Sequence, residues 1–197
     1  VPDVVLEGGS IDVNGCGTVL TTKQCLLNPN RNPNLDRPGI EWYLNEYLGC
    51  SNVVWLNEGI AGDDTDGHVD DIARFVNETT ILCAVETDQG DENYAPLLEN
   101  YQILKRSVDQ EGKPFTVIPI PMPAAGRDEN RLPASYVNFL ITNRLVLFPT
   151  FEHSYDRAAA AIIGRAFPGR QVIGIDCRAM IHGLGTLHCI SQQQPAP

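Results

Sequence analysis

The stretch His68-Val69-Asp70-Asp71-Ile72-Ala73-Arg74-Phe75-Val76, followed by Asn77-Glu78 and then Thr79-Thr80-Ile81-Leu82-Cys83-Ala84-Val85, reads as two strands about a turn. A helix over 93–110 follows, with Leu97, Leu98, Tyr101, Leu104 and Val108 on one face, and then a strand over 115–120. The same order recurs on either side. Upstream, the apolar, β-branched run 1–7 stops at Gly8-Gly9, and 18–22 is a second strand. A turn-rich loop, Asn28-Pro29-Asn30-Arg31-Asn32-Pro33-Asn34, then leads to a helix over 37–48 and a strand over 53–56. Pro38 suits the first turn of that helix, Gly49 its end, and Ile40, Tyr43, Leu44, Tyr47 and Leu48 share one face. Downstream, strands over 135–141 and 145–151 flank Thr142-Asn143-Arg144, an Ala-rich helix covers 155–167, and a strand covers 172–175.

A strand–strand–helix–strand unit of about 60 residues is thus repeated three times. The units run approximately 1–60, 61–125 and 126–180 within one α/β domain, and 181–197 begins a fourth. The unit starts carry polar residues where a buried strand calls for apolar ones: Glu7, His68 with Asp70, Asn138 and Cys189. If the units stand around an axis, these residues meet at its centre. In a plain doubly wound sheet they would instead lie at strand ends.

The composition excludes several classes. With a net charge of -11, the chain lacks the basic face that a nucleic acid needs. No apolar run is long enough to span a membrane, and no signal peptide is visible. The six cysteines form no CxxC pair, so a zinc ribbon is not expected, and reduced thiols in a cytoplasmic protein are. The chain opens on Val1 rather than Met, the mark of a processed chain or a part of a longer one.

Cys189 follows Gly183 and Gly185 and opens a short β-prone run. As a nucleophile it needs a neighbouring base or cation; otherwise it is a buried structural thiol. His68 is the candidate acid/base, with a satisfied structural histidine as the alternative. His68 and Asp70 point to one face of the expected strand, and a buried Asp70 needs a cation, for which a planar guanidinium is the natural partner. Glu7 could orient and polarise His68, or be a strand-end surface carboxylate. The turn Asp63-Asp64-Thr65-Asp66-Gly67 resembles a fragment of a calcium loop but lacks the downstream Glu of an EF-hand. His182 and His188 have no matched metal-ligand spacing, and no metal is expected. Walker, GxGxxG and GxSxG motifs are absent.

The blocks Leu6-Glu7-Gly8-Gly9-Ser10-Ile11-Asp12, Leu26-Leu27-Asn28-Pro29-Asn30-Arg31-Asn32-Pro33, Asp63-Asp64-Thr65-Asp66-Gly67-His68-Val69-Asp70, Ala134-Ser135-Tyr136-Val137-Asn138-Phe139 and His188-Cys189-Ile190-Ser191-Gln192-Gln193-Gln194-Pro195 together resemble the agmatine deiminase and Porphyromonas-type peptidylarginine deiminase family. The resemblance implies the pentein fold, an α/β propeller of five units, of which about three and the start of another are present. It implies Cys189 as nucleophile, His68 as general acid/base with Glu7 beside it, and Asp70 holding a guanidinium, with Asp64 and Asn138 beside the substrate. It also implies hydrolysis of a small cationic guanidino substrate without metal or cofactor. Agmatine giving N-carbamoylputrescine is the leading substrate, with peptidyl-arginine giving citrulline the alternative. The family's second guanidinium-binding Asp has no counterpart here. The expectations are therefore a C-terminal part of a deiminase, inactive alone or completed by further chain or by a second copy.

Overall fold

In the computed structural model, residues 3–123 and 131–194 are described, and they form three small three-stranded sheets. The first sheet contains β1 (Ile11–Val13), β2 (Thr18–Thr22) and β3 (Asn52–Leu56), the second β4 (Ala73–Asn77), β5 (Thr80–Val85) and β6 (Thr116–Pro121), and the third β7 (Leu140–Ile141), β8 (Leu145–Thr150) and β9 (Gln171–Asp176). In each, the first two strands pair antiparallel and the third joins in parallel, with a helix in the crossover that parallel pairing demands. The crossover helices are α2 (Arg37–Leu48), α3 (Tyr94–Arg106) and α4 (Asp156–Ala166); α1 (Lys23–Leu26) is a single turn after β2. The described residues form no closed barrel or propeller from these sheets. No helix among them is long and apolar enough to cross a membrane.

Strand alternation divides the core. Val19 and Trp55 pack with Ile40 and Leu44 of α2, whereas their neighbours Leu20, Val54 and Leu56 join a larger core shared by all three sheets. β2 is therefore buried along its whole length. Helix α2 starts where the Asp36 side chain accepts the Gly39 amide (3.0 Å) and stops at Gly49, φ +67°, a left-handed position glycine takes without steric cost. Only Ile40 and Leu44 of its expected face are buried; Tyr47 and Leu48 are exposed, because the helix covers one sheet face only. On α3, Leu97 and Leu104 are buried, Leu98 is exposed, and Val108 lies beyond the helix end.

Polar links tie the units together. Arg74 of β4 pairs with Asp12 of β1 at 2.7 Å and donates to the Phe139 carbonyl ahead of β7 (3.2 Å). Asn100 of α3, fully buried, accepts from the Asn57 amide and donates to the Glu58 carbonyl just past β3, both at 2.8 Å.

The unit starts differ from the sequence expectation. Residues 3–7 form no strand, and Val1 and Pro2 lie outside the described residues. The Val5 backbone instead bonds the Asn32 side chain through both its N–H and its carbonyl. Residues 69–71 make one 3-10 turn and the strand starts at Ala73. Two carboxylates in succession are poor strand formers, and Asp63 draws the Gly67 and His68 amides into a turn. The strand expected over 135–141 shrinks to Leu140–Ile141, since Ser135 accepts the Val137 amide through its hydroxyl and the Asn138 amide through its carbonyl. Cys189 lies in a turn and starts no strand.

Candidate active site

The segment ending at Glu7, the turns over 63–71 and the turn at Cys189 bring polar side chains to one cleft of about 470 Å³, whose walls include Glu7, Asp64, His68, Asp70, His188 and Cys189. Gly9 makes the approach possible: a Cβ there would stand 2.5 Å from His68 Nδ1 and 2.9 Å from an Asp70 oxygen. Gly185 does the same for Cys189, whose Cβ would lie 2.8 Å from an added methyl.

The cleft has two polar centres. In the first, Glu7 Oε2 meets His68 Nε2 at 3.2 Å and accepts from Arg31 Nε at 2.6 Å. Burial works to raise the Glu7 carboxyl, but hydrogen bonds from Arg31 and His68, and their charges, hold it below its usual value. In the second, Asp70 is fully buried. Its Oδ2 lies 2.7 Å from His188 Nδ1 and 3.6 Å from Cys189 Sγ. Its Oδ1 is buried with no hydrogen-bond partner among the described residues.

Asn138 lies behind Cys189 rather than on the cleft wall. Its Nδ2 donates to Cys189 Sγ at 3.0 Å, and its Oδ1 accepts from Thr186 Oγ1, the His188 amide and the Cys189 amide. The Cys189 thiol is pushed up to about 12, first by burial of the sulfur and then by Asp71 and Asp70, against weaker help from the Thr186 backbone and Asn138. Asp71 is itself held well above the usual carboxylate range by burial and by the charges of Asp70 and Asp63.

The residues named from sequence are therefore brought together, with Asp64 on the exposed rim. Two partners were missed. His188 is the resident partner of Asp70, and its place beside Cys189 was the available signal. Arg31 lies far along the chain in the Asn-Pro-Asn-Arg loop, and no spacing links it to Glu7. Among the described residues two trios, Glu7–Cys25–His68 and Asp70–Asp71–Cys189, have donor atoms within 4.8 Å of one another and could hold a cation, although in the first Arg31 already occupies the Glu7 oxygen.

Residues 1–195 match the Porphyromonas-type peptidyl-arginine deiminase family, and the chain belongs to it. The agmatine deiminase of Pseudomonas putida is 43% identical over 212 residues, which cover 98% of this chain and 58% of that protein. The solved structure of the agmatine deiminase of Enterococcus faecalis superposes with a TM-score of 0.95 at 36% identity, over 99% of this chain and 58% of the other. A C. jejuni agmatine deiminase carrying a cysteine-to-serine change, solved with substrate bound, gives 0.88 at 38% identity over 95% and 55%. An amidinotransferase of Microseira wollei, at 15% identity and a TM-score of 0.53, shares the fold alone. The chain thus spans 56–58% of the length of such curated relatives.

Proposed function

We propose that this chain carries the nucleophile and acid/base of a hydrolytic guanidine deiminase, acting on agmatine to give N-carbamoylputrescine and ammonia. The observation that carries the reading is the meeting, in one cleft, of the Cys189 thiol, the buried Asp70 carboxylate, whose Oδ1 has no hydrogen-bond partner among the described residues, and a histidine held by Glu7. A guanidinium presents planar N–H donors to such a carboxylate. Its positive charge also opposes the burial and negative field that keep Cys189 protonated, so substrate entry favours the thiolate.

In the proposed sequence the Cys189 proton passes to His68 and the thiolate adds to the guanidinium carbon. The tetrahedral adduct expels ammonia with that proton, leaving a thiouronium on Cys189. His68 then takes a proton from water and the hydroxide adds to the same carbon; the carbon–sulfur bond breaks as the carbonyl forms, the hydroxyl proton passes to sulfur to restore the thiol, and His68 gives up its proton to ammonia or solvent, leaving the ureido product. Glu7 stabilises the protonated His68, Asp70 holds the guanidinium, Asn138 positions the sulfur, and Asp64 on the rim attracts the cationic end of the substrate. The scheme uses no metal or cofactor. The relatives' names support agmatine, while the family's name keeps peptidyl-arginine as the second substrate. We read 1–60, 61–125 and 126–180 as three units of a five-unit pentein propeller with 181–197 opening the next, in a cytoplasmic enzyme whose second guanidinium clamp comes from further chain or a second copy.

Ureido-product formation from agmatine, with Cys189→Ser as control, tests the chemistry; turnover that persists in the variant refutes it. Alkylation tests the site. At pH 7 a neutral haloacetamide should react slowly with Cys189, about tenfold faster per pH unit as the thiol deprotonates. A cationic haloacetamidine should react with it faster than with the other five cysteines. Equal labelling of all six by the cationic reagent would contradict the role of Asp70.

A further inference from the structure

Arg31 sits outside the chemistry just described, yet its surroundings are those of a built site. Its side chain is 11% exposed. A guanidinium has five N–H donors, and five hydrogen bonds leave this one: Nε to Glu7 Oε2 (2.6 Å), Nη1 to Asp66 Oδ2 (2.7 Å) and Asn30 Oδ1 (3.2 Å), and Nη2 to the Thr65 carbonyl (2.7 Å) and Glu7 Oε1 (3.4 Å). Of the four partners, Thr65 and Asp66 belong to the turn that ends at His68, Glu7 is the carboxylate facing His68, and Asn30 is the chain neighbour of Arg31. Asp66 holds the left-handed conformation (φ +58°) in that turn, and Asn30 also donates to it (3.0 Å). Asp63 closes the same turn by accepting the Gly67 and His68 amides.

We propose that Arg31 is a positioning residue: its fork fixes the Glu7 carboxylate against His68 and ties the 63–67 turn, from which His68 departs, to that same carboxylate. The inference rests on the deiminase reading for its effect on turnover, and on geometry for the clamp itself. A lysine could supply the charge but not five directed bonds. The charge has its own use. Glu7 is shared between a permanent cation and His68, so it stays ionised while a proton moves on and off the imidazole. The groups facing this carboxylate and imidazole are Arg31, Cys25 at 3.7 Å from Glu7 Oε2, Asp70 across Gly9, Asp63 and Asp66 on the turn, and Asp64 and Cys189 across the cleft.

The test follows the Glu7 carboxyl carbon by NMR titration, alongside agmatine turnover, in Arg31→Gln, Arg31→Lys, Asp66→Asn and the surface control Arg37→Gln. The clamp requires Glu7 to titrate at higher pH in Arg31→Gln and to remain low in Arg31→Lys. It also requires kcat to fall at least about tenfold in both, with a smaller change in KM. Asp66→Asn suits its left-handed backbone and leaves Glu7 paired, so it should speed amide exchange at Gly67 and His68 without moving the Glu7 titration. An unmoved Glu7 titration in Arg31→Gln, or wild-type kcat in Arg31→Lys, overturns the proposal. Should Arg31→Gln fail to fold, unchanged exchange in Asp66→Asn overturns it. If the wild-type chain turns over no agmatine, the substrate site is incomplete without its second guanidinium clamp, and the Glu7 titration and the exchange arm, which need no turnover, decide the clamp.

Discussion

Glu7 and Asp70 face one cleft from two sides and are held in opposite ways. Glu7 is partly exposed and neutralised by the protein itself, through Arg31 and His68. Asp70 is fully buried, has His188 on one oxygen, and has no bond on the other among the described residues. A buried carboxylate that keeps an unbonded oxygen costs stability, whereas a carboxylate shared with an arginine costs little. The difference separates a carboxylate that completes the protein from one fitted to an incoming cation.

The comparison can be broken in order of expected effect. Asp70→Asn should lower kcat/KM by ~10³-fold, because the guanidinium loses its charged clamp; its thermal melt should stay close to that of the wild type, since the amide oxygen still accepts from His188 while a buried charge is removed. A Tm loss of several degrees would place Asp70 in the structural class with Glu7. Asn138→Ala strands two donors, Thr186 Oγ1 and the Cys189 amide, and leaves the His188 amide only the backbone carbonyl of residue 138, so it should cost about 2 kcal/mol in denaturant unfolding. A cost under about 1 kcal/mol would show that the loop around Cys189 is held by other contacts.

Glu7→Gln should cost about 1 kcal/mol, discounted for its exposure, or roughly 2–4 °C in Tm. The sign of the pH dependence follows from the lowered Glu7 value. The ionised carboxylate contributes stability above its unfolded-state value near 4.5, and that contribution is lost as pH falls through the lower folded-state value. The gap between wild type and Glu7→Gln should therefore close in acid. A gap independent of pH would mean that the Arg31 contact does not depend on the Glu7 charge.

Much of this was readable from the chain. Alternating and helical periodicity located the central strands and the crossover helices, because those segments bury regular faces. Periodicity failed where side-chain hydrogen bonds outrank it, at 69–71 and 135–139, where Asp63 and Ser135 turn the backbone. Those places carry Asp70 on the cleft wall and Asn138 behind Cys189. Cys189, His68 and Glu7 could be named from residue type, neighbouring glycines and the family blocks. The partnership of Arg31 with Glu7, 24 residues apart, could not, since the loop that brings them together leaves no period in the sequence.

The sheets and the cleft also differ in how far along the chain their partners lie. Parallel pairing within a unit joins residues such as Thr18 and Asn52, or Thr80 and Thr116, whereas the His188–Asp70 contact spans 118 residues. Closing that larger loop carries about 1 kcal/mol more chain entropy than closing one within a unit. That difference favours assembly of the units from near neighbours before the contacts of Cys189 close, so the proposed nucleophile is expected to settle on a frame that already stands.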